Sequence, residues 1–282
     1  MTSPALSATR ASEAESLLAE GLARAGRAHE GLEAGLRGLL GNPDRALVSD
    51  RVVALVRSLI EDLAQQLAAD AGRSVPALAE DLIAEPAVLR HAHALALEDA
   101  LAERLADQLS LDPVVSPLLQ RLAQSDREAS ALLTVQAGFV QALRRGELAM
   151  GEWSAGSLRA VLAGAGGEGG QGEPANRSSL LDRVAAACGD QSLDLREAGA
   201  ALFLTGLSQR TGMDRDAAVL LTSETDWARL ALALRAAGLE PADVARQLFA
   251  LHPDLSLPDG FAEIGADRAA ALLAGPAGSA GA

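Results

Sequence analysis

The amino-acid sequence predicts an all-α protein, with a helical bundle followed by an array of short antiparallel helices that pack as an irregular solenoid. Two observations favour this class. Apolar residues recur at spacings of three and four, and the strict apolar–polar alternation of half-buried strands is absent. Of the 282 residues, 49% are hydrophobic, which is enough for a sizeable core, although only 2% are aromatic.

The first predicted element is a helix over about residues 12–40, after a small, polar and disordered segment 1–11. Seven seam positions of this helix alternate at spacings of four and three, namely Leu18, Leu22, Ala25, His29, Leu32, Leu36 and Leu39. That spacing is typical of a heptad seam. Several glycines in the same segment each cost roughly 1 kcal/mol relative to alanine. We therefore expect the helix to need a packing partner, and self-association through residues 12–40 would supply one.

Three more helices are predicted in the N-terminal part. One spans about residues 46–70 and carries a wide apolar stripe. A second spans about residues 86–109. The third begins after Ser125, because Ser125 and Glu128 have the spacing of a capping box, and it continues to about Arg145.

A glycine-rich stretch divides the chain. Residues 164–177 read GAGGEGGQGEPANR, a composition that disfavours a helix and predicts a flexible linker. The linker separates an N-terminal bundle, 12–163, from a C-terminal array, 178–265. The last residues, 274–282, are predicted to be disordered.

Two similar turns are expected within the C-terminal array, at Gly212-Met213-Asp214 and at Gly238-Leu239-Glu240-Pro241. In each turn the glycine can take the left-handed conformation that ends a helix. The acidic residue that follows can cap the next helix, and Pro241 fits a first helical position. The pattern predicts consecutive short helices.

The charge of the chain limits its partners and its compartment. All 24 basic residues are arginine, 38 residues are acidic, and the formal net charge is −14. This acidic excess argues against a nucleic-acid partner. No apolar stretch is long enough for a membrane span, and the N-terminus lacks the pattern of a secretory signal. The absence of lysine beside abundant alanine, arginine and glycine indicates a GC-rich bacterial genome, and we expect a cytoplasmic protein.

The sequence contains few motifs that are typical of catalysis. His91 and His93 form the only close histidine pair, but residues two apart on a helix point in nearly opposite directions and cannot share a metal ion. Cys188 lies near a predicted helix C-terminus, where the helix dipole opposes a thiolate. No phosphate-binding loop or nucleophile elbow is present. We therefore predict no catalytic residue, no cofactor and no metal.

Four residues are candidates for contacts with a protein partner. Trp153 is either a core residue or an exposed anchor of the kind enriched in binding hot spots. Arg144 and Arg145 either complement the dipole at the end of their helix or contact an acidic partner. His91 is expected to be partly solvated, with His93 on the apolar face of the same helix.

Five segments resemble one protein family. They read EPAVLRH (85–91), LAERL (101–105), LDPVVSPLL (111–119), QAGFVQALRRGEL (136–148) and RAAGL (235–239). Together they are similar to the alphaproteobacterial domain-of-unknown-function 2336 family. The resemblance covers most of residues 85–250 and implies a helical architecture and a bacterial cytosolic setting. It implies no catalytic or binding residues.

These observations favour a non-catalytic helical scaffold or protein-interaction module, and a role in regulation is a further hypothesis. A bundle lined by leucine and alanine could instead enclose an apolar pocket for a small molecule or a lipid. A third hypothesis is an acid/base enzyme, which requires a cleft where acidic residues and a histidine converge with shifted pKa values.

Overall fold

A computed structural model describes residues 4–40, 51–153 and 176–275, and every regular element in these ranges is helical. The all-α prediction is therefore confirmed. The α-helices are α1 Pro4–Leu40, α2 Arg51–Ala71, α3 Val75–Ala84, α4 Pro86–Leu109, α5 Pro117–Leu122, α6 Arg127–Arg144, α7 Arg177–Cys188, α8 Leu195–Thr211, α9 Arg215–Leu220, α10 Trp227–Ala236, α11 Pro241–Leu251 and α12 Ala266–Leu273. Short 3₁₀ turns lie between several of them, at Met150–Trp153, Gly189–Leu193, Glu224–Asp226 and Phe261–Glu263.

Helix α1 begins earlier than the sequence predicts. The segment 1–11 was expected to be disordered, but the helix begins at Pro4. Tertiary packing accounts for the difference, because the carbonyl group of Arg10 lies against Gly260 in the turn before α12. A side chain at Gly260 would clash with that carbonyl, so glycine permits the close approach.

The predicted seam of α1 faces the chain's own helices. Leu39 is exposed, but the members Leu18, Leu22, Ala25 and Leu36 are buried, and α1 packs on α10 and on the 3₁₀ turns Glu224–Asp226 and Phe261–Glu263. These side chains are therefore already covered, and self-association through residues 12–40 would need another face of the helix. Self-association itself stays a prediction.

Helix boundaries elsewhere follow the local signals closely. Helix α4 has the predicted limits, and α6 ends one residue before the predicted position. The cap of α6 differs from the prediction, because Asp126 rather than Ser125 accepts hydrogen bonds from the first backbone amides. Gly212 and Gly238 both take positive φ values, as the two predicted turns require.

The buried apolar side chains form two cores. The large core joins the first half of α1 and the second half of α4 to α5–α12, and includes Leu18 and Leu101. The small core joins the end of α1, α2, α3, the first half of α4 and the end of α6, and includes Leu36 and Leu89. Helices α1 and α4 thus contribute to both.

The large core crosses the predicted linker between the two parts of the chain. Residues 164–175 lie outside the described ranges, but Asn176 and Arg177, placed in the linker by the sequence, belong to the start of α7. The Asn176 side chain caps this helix by accepting a hydrogen bond from the amide of Ser179 at 2.9 Å. Because the large core draws on both sides of the linker, the two predicted parts do not have separate cores.

No helix within the described ranges is long and apolar enough to cross a membrane.

Candidate functional site

The structure places two of the four predicted contact residues in the interior. Trp153 has 0% of its surface exposed, so it is a core residue and not an exposed anchor. Its 3₁₀ turn brings the indole into the small core, where it meets the ring of His91 edge-on at a centroid distance of 5.8 Å. His91, expected to be partly solvated, is only 6% exposed, whereas His93 is half-buried.

The other two candidates lie at the surface. Arg144 and Arg145 are both exposed at the end of α6. The Arg145 Nε donates to Glu147 Oε2 at 2.9 Å, and Arg144 occupies the last turn, where its charge complements the helix dipole. Neither arginine makes a contact that distinguishes a partner role from this structural role.

The most heavily charged part of the interior centres on Glu98. This residue lies on α4 between the stretch that joins the small core and the stretch that joins the large core. Arg215 of α9 donates from Nη1 and Nη2 to the two Glu98 carboxylate oxygens at 2.9 Å each. Arg177 of α7 donates from Nη2 to the same carboxylate. We call Glu98, Arg177 and Arg215 the Glu98 cluster.

The two arginines also contact neutral groups. The Arg177 Nε donates to Gln136 Oε1 at 2.7 Å, and its guanidinium carbon lies 3.7 Å from the ring centroid of Phe139. The Arg215 Nε donates to Thr205 Oγ1 at 3.0 Å. The Glu98 cluster therefore connects α4, α6, α7, α8 and α9 through hydrogen bonds.

His91 lies to one side of the Glu98 cluster, and both of its ring nitrogens have a contact. Nδ1 contacts Asp216 Oδ2 at 2.9 Å, and Nε2 contacts the backbone carbonyl of Glu152 at 3.1 Å. Both partners are acceptors, so the imidazolium form of the ring, in which both nitrogens donate, satisfies both contacts. This pair of contacts fixes the 3₁₀ turn that carries Trp153 against α4 and α9.

The pKa values follow from burial and charge together. Burial alone raises the pKa of Glu98, but the two guanidinium groups outweigh it and hold the pKa at about 2. Burial lowers the pKa of His91, but the hydrogen bond and the charge of Asp216 more than compensate, so this pKa lies above its ordinary value. Burial raises the pKa of the Glu152 carboxyl, against the charge of the nearby Arg177.

The arrangement is an ionic network inside the protein. The carboxylate of Glu98 is fully engaged, and the side chains of Glu98, Arg177 and His91 are almost completely buried. Across residues 4–40, 51–153 and 176–275, no three His, Cys, Asp or Glu side chains are grouped to hold a metal ion. A small cavity of about 30 Å³ between α4, α5 and α8 has room for about one water molecule.

Sequence reasoning missed most of this cluster. Arg177 was assigned to the linker, and neither Glu98 nor Arg215 was among the candidate contact residues. One signal could have revealed Glu98. It lies three residues after Leu95 and three before Leu101, so a charge interrupts the apolar stripe of α4. A charge in that position predicts a buried ion pair, but not its partners.

A second feature is an open groove on the large-core side. It lies between the start of α8, the turn that joins α10 to α11, and the first half of α11, and has a volume of about 600 Å³. We call it the groove and define it by its lining residues: Arg121, Asp190, Gln191, Leu193, Asp194, Glu197, Ala237, Gly238, Leu239, Glu240, Asp243, Arg246 and Gln247. Five of these residues are acidic and two are basic.

Comparison with protein families, curated proteins and solved structures finds no match for this chain. The resemblance to the alphaproteobacterial domain-of-unknown-function 2336 family therefore stays a prediction.

Proposed function

We propose that this chain is a non-catalytic, helical protein-interaction module that acts as a scaffold in a bacterial cytosol. The observation that carries the proposal is the internal pairing of the histidine, glutamate and arginine side chains that catalysis would need. Glu98 pairs with both Arg177 and Arg215 inside the protein, and His91 contacts two acceptors. In this interpretation the buried charges fix the helices relative to one another. The helices then present a defined surface, and partner proteins bind to that surface.

The acidic surface supports the same proposal. With a formal charge of −14 the chain repels nucleic acids and anionic membranes, and attracts proteins with basic surfaces. The open groove offers concave surface of the kind that helical arrays present to protein partners.

Affinity capture tests the proposal. The full chain, immobilised, is exposed to a lysate of the source bacterium, and each enriched protein is purified and titrated against the chain by calorimetry. We expect at least one protein to bind with defined stoichiometry, and heat-unfolded bait serves as the control for non-specific capture. Absence of any enriched protein would contradict the proposal, and a small ligand retained in a native mass spectrum would favour the ligand-binding hypothesis instead.

A further inference from the structure

We infer that the groove binds a basic, extended segment of another protein, with an apolar side chain on its floor and lysine or arginine side chains along its rim. This inference rests on the proposed interaction function and adds the chemistry of the partner. Three properties of the groove support it, namely the charge of its rim, the composition of its floor and an unused hydrogen-bond donor.

The rim of the groove carries a net negative charge that a basic segment can neutralise. Glu240, at the start of α11, is exposed and forms no ion pair within the described ranges. Glu197 is bound only by Arg121, at 2.6 Å, and both side chains of this pair are about half exposed. An exposed pair of this kind contributes about 0–1 kcal/mol, so an incoming cation can compete for the carboxylate.

The floor of the groove is apolar and small. Leu193 and Ala237 are buried side chains that line it, and Leu239 is half-buried beside them. These residues belong to or border the large core. A leucine-sized side chain on a docked segment would lie against this floor and cover the exposed part of Leu239, which adds an apolar contribution to the attraction of the rim.

Gln247 supplies the third property. This residue is only 1% exposed, yet it lines the groove. Its Oε1 accepts a hydrogen bond from the backbone amide of Leu195 at 3.0 Å, which fixes the side chain. Its Nε2 donates to no group in the described part of the chain. This fixed amide can donate a hydrogen bond to a backbone carbonyl of an extended segment.

The charge of the chain argues against a second copy as the occupant. The sequence has no lysine, and its longest run of basic residues is the pair Arg144-Arg145. Two molecules that each carry a formal charge of −14 also repel one another. A basic segment from a different protein can pair with the acidic rim, place an apolar side chain on the floor and accept a hydrogen bond from Gln247.

A binding measurement with a defined peptide tests the inference. The probe is a short fluorescein-labelled peptide with lysines on both sides of a central leucine in a Gly/Ser background, and binding to the full chain is followed by anisotropy. The groove variant combines Glu197→Gln with Glu240→Gln. The control variant combines Glu61→Gln with Glu80→Gln, which removes the same charge from exposed positions on α2 and α3. Unfolding midpoints near that of the unmodified chain establish that both variants fold.

We expect the groove variant to weaken binding roughly tenfold, and the control variant to change it by less than about twofold. A peptide with glutamate in place of lysine, or serine in place of leucine, should bind more weakly. Equal losses in both variants would overturn the inference, because they would indicate general attraction to an acidic surface. Absence of peptide binding would overturn it as well.

The inference and the proposed function fail in different ways. A protein captured by the full chain that binds the groove variant with unchanged affinity would contradict the groove as the site, while the interaction function stands. Capture of no protein contradicts the interaction function, whatever the peptide does.

Discussion

At the scale of single residues, the buried charges depend on the geometry of arginine. The guanidinium of Arg215 presents two parallel donors to the Glu98 carboxylate, and that of Arg177 stacks on Phe139 while donating at its edge. A lysine ammonium could reproduce neither the fork nor the stacking. Charged groups are tolerated this far inside the protein because both Glu98 carboxylate oxygens accept hydrogen bonds from the two guanidinium groups.

Removing one charge from this cluster should destabilise the protein strongly. The substitution Glu98→Gln leaves the buried guanidinium of Arg177 and the half-buried one of Arg215 without their carboxylate, and we expect a loss of about 3–5 kcal/mol in the free energy of unfolding. Urea denaturation measures the loss. The matched control is Glu147→Gln, which breaks an exposed pair with Arg145 and should change stability by no more than about 0.5 kcal/mol. Equal effects would show that the Glu98 cluster does not stabilise the fold.

His91 makes a second residue-scale prediction, on pH. The pKa of His91 is raised in the folded protein. The stability that its charged form contributes is therefore complete below the ordinary pKa of about 6.5 and is lost as the pH rises through the folded pKa. Asp216, Arg215 and Glu152 are the charged groups nearest the ring. The stability advantage of the unmodified chain over His91→Gln should therefore shrink as the pH rises above neutrality. Denaturation of both proteins across this range checks the sign, and an advantage that grows with pH would contradict it.

At the scale of helices, close packing between α1 and α10 depends on one of the glycines that weaken α1 in isolation. A side chain at Gly21 would lie 2.6 Å from the Cβ of Ala228, whereas the space around Gly26 is open. In an isolated helix both glycines carry the same intrinsic cost relative to alanine. The structure separates them, because only Gly21 lies where α1 touches α10.

The two glycines should respond to alanine with opposite signs. Gly21→Ala forces α1 away from α10 and should lower the free energy of unfolding by about 1–3 kcal/mol. Gly26→Ala meets no neighbour and should raise it by about 0.5–1 kcal/mol through helix propensity. Thermal unfolding of both variants measures the difference. A stabilising effect of Gly21→Ala would mean that α1 does not pack on α10 as described.

At the scale of the whole molecule, the sequence predicts helices better than it predicts their assembly. Local signals such as the apolar stripe of α4 and the turn at Gly238 place helix boundaries, because capping and periodicity act within a few residues. The Glu98 cluster joins residues up to 117 positions apart, and no local pattern encodes which arginine meets Glu98. Trp153 illustrates the same limit, since its burial depends on α4 and not on its neighbours in sequence.

The sharing of the large core across the glycine-rich stretch predicts that the two parts depend on each other for folding. Fragment 176–282 lacks the large-core side chains of α1, α4, α5 and α6, among them Leu18 and Leu132. Fragment 1–163 lacks Arg177 and Arg215, so Glu98 would be buried without its partners. We expect neither fragment alone to give a cooperative thermal transition, and an equimolar mixture to recover one. Calorimetry on each fragment and on the mixture decides the matter, with the uncut chain as reference. A cooperative transition of fragment 176–282 alone, at a temperature near that of the full chain, would show that the part after the linker folds independently.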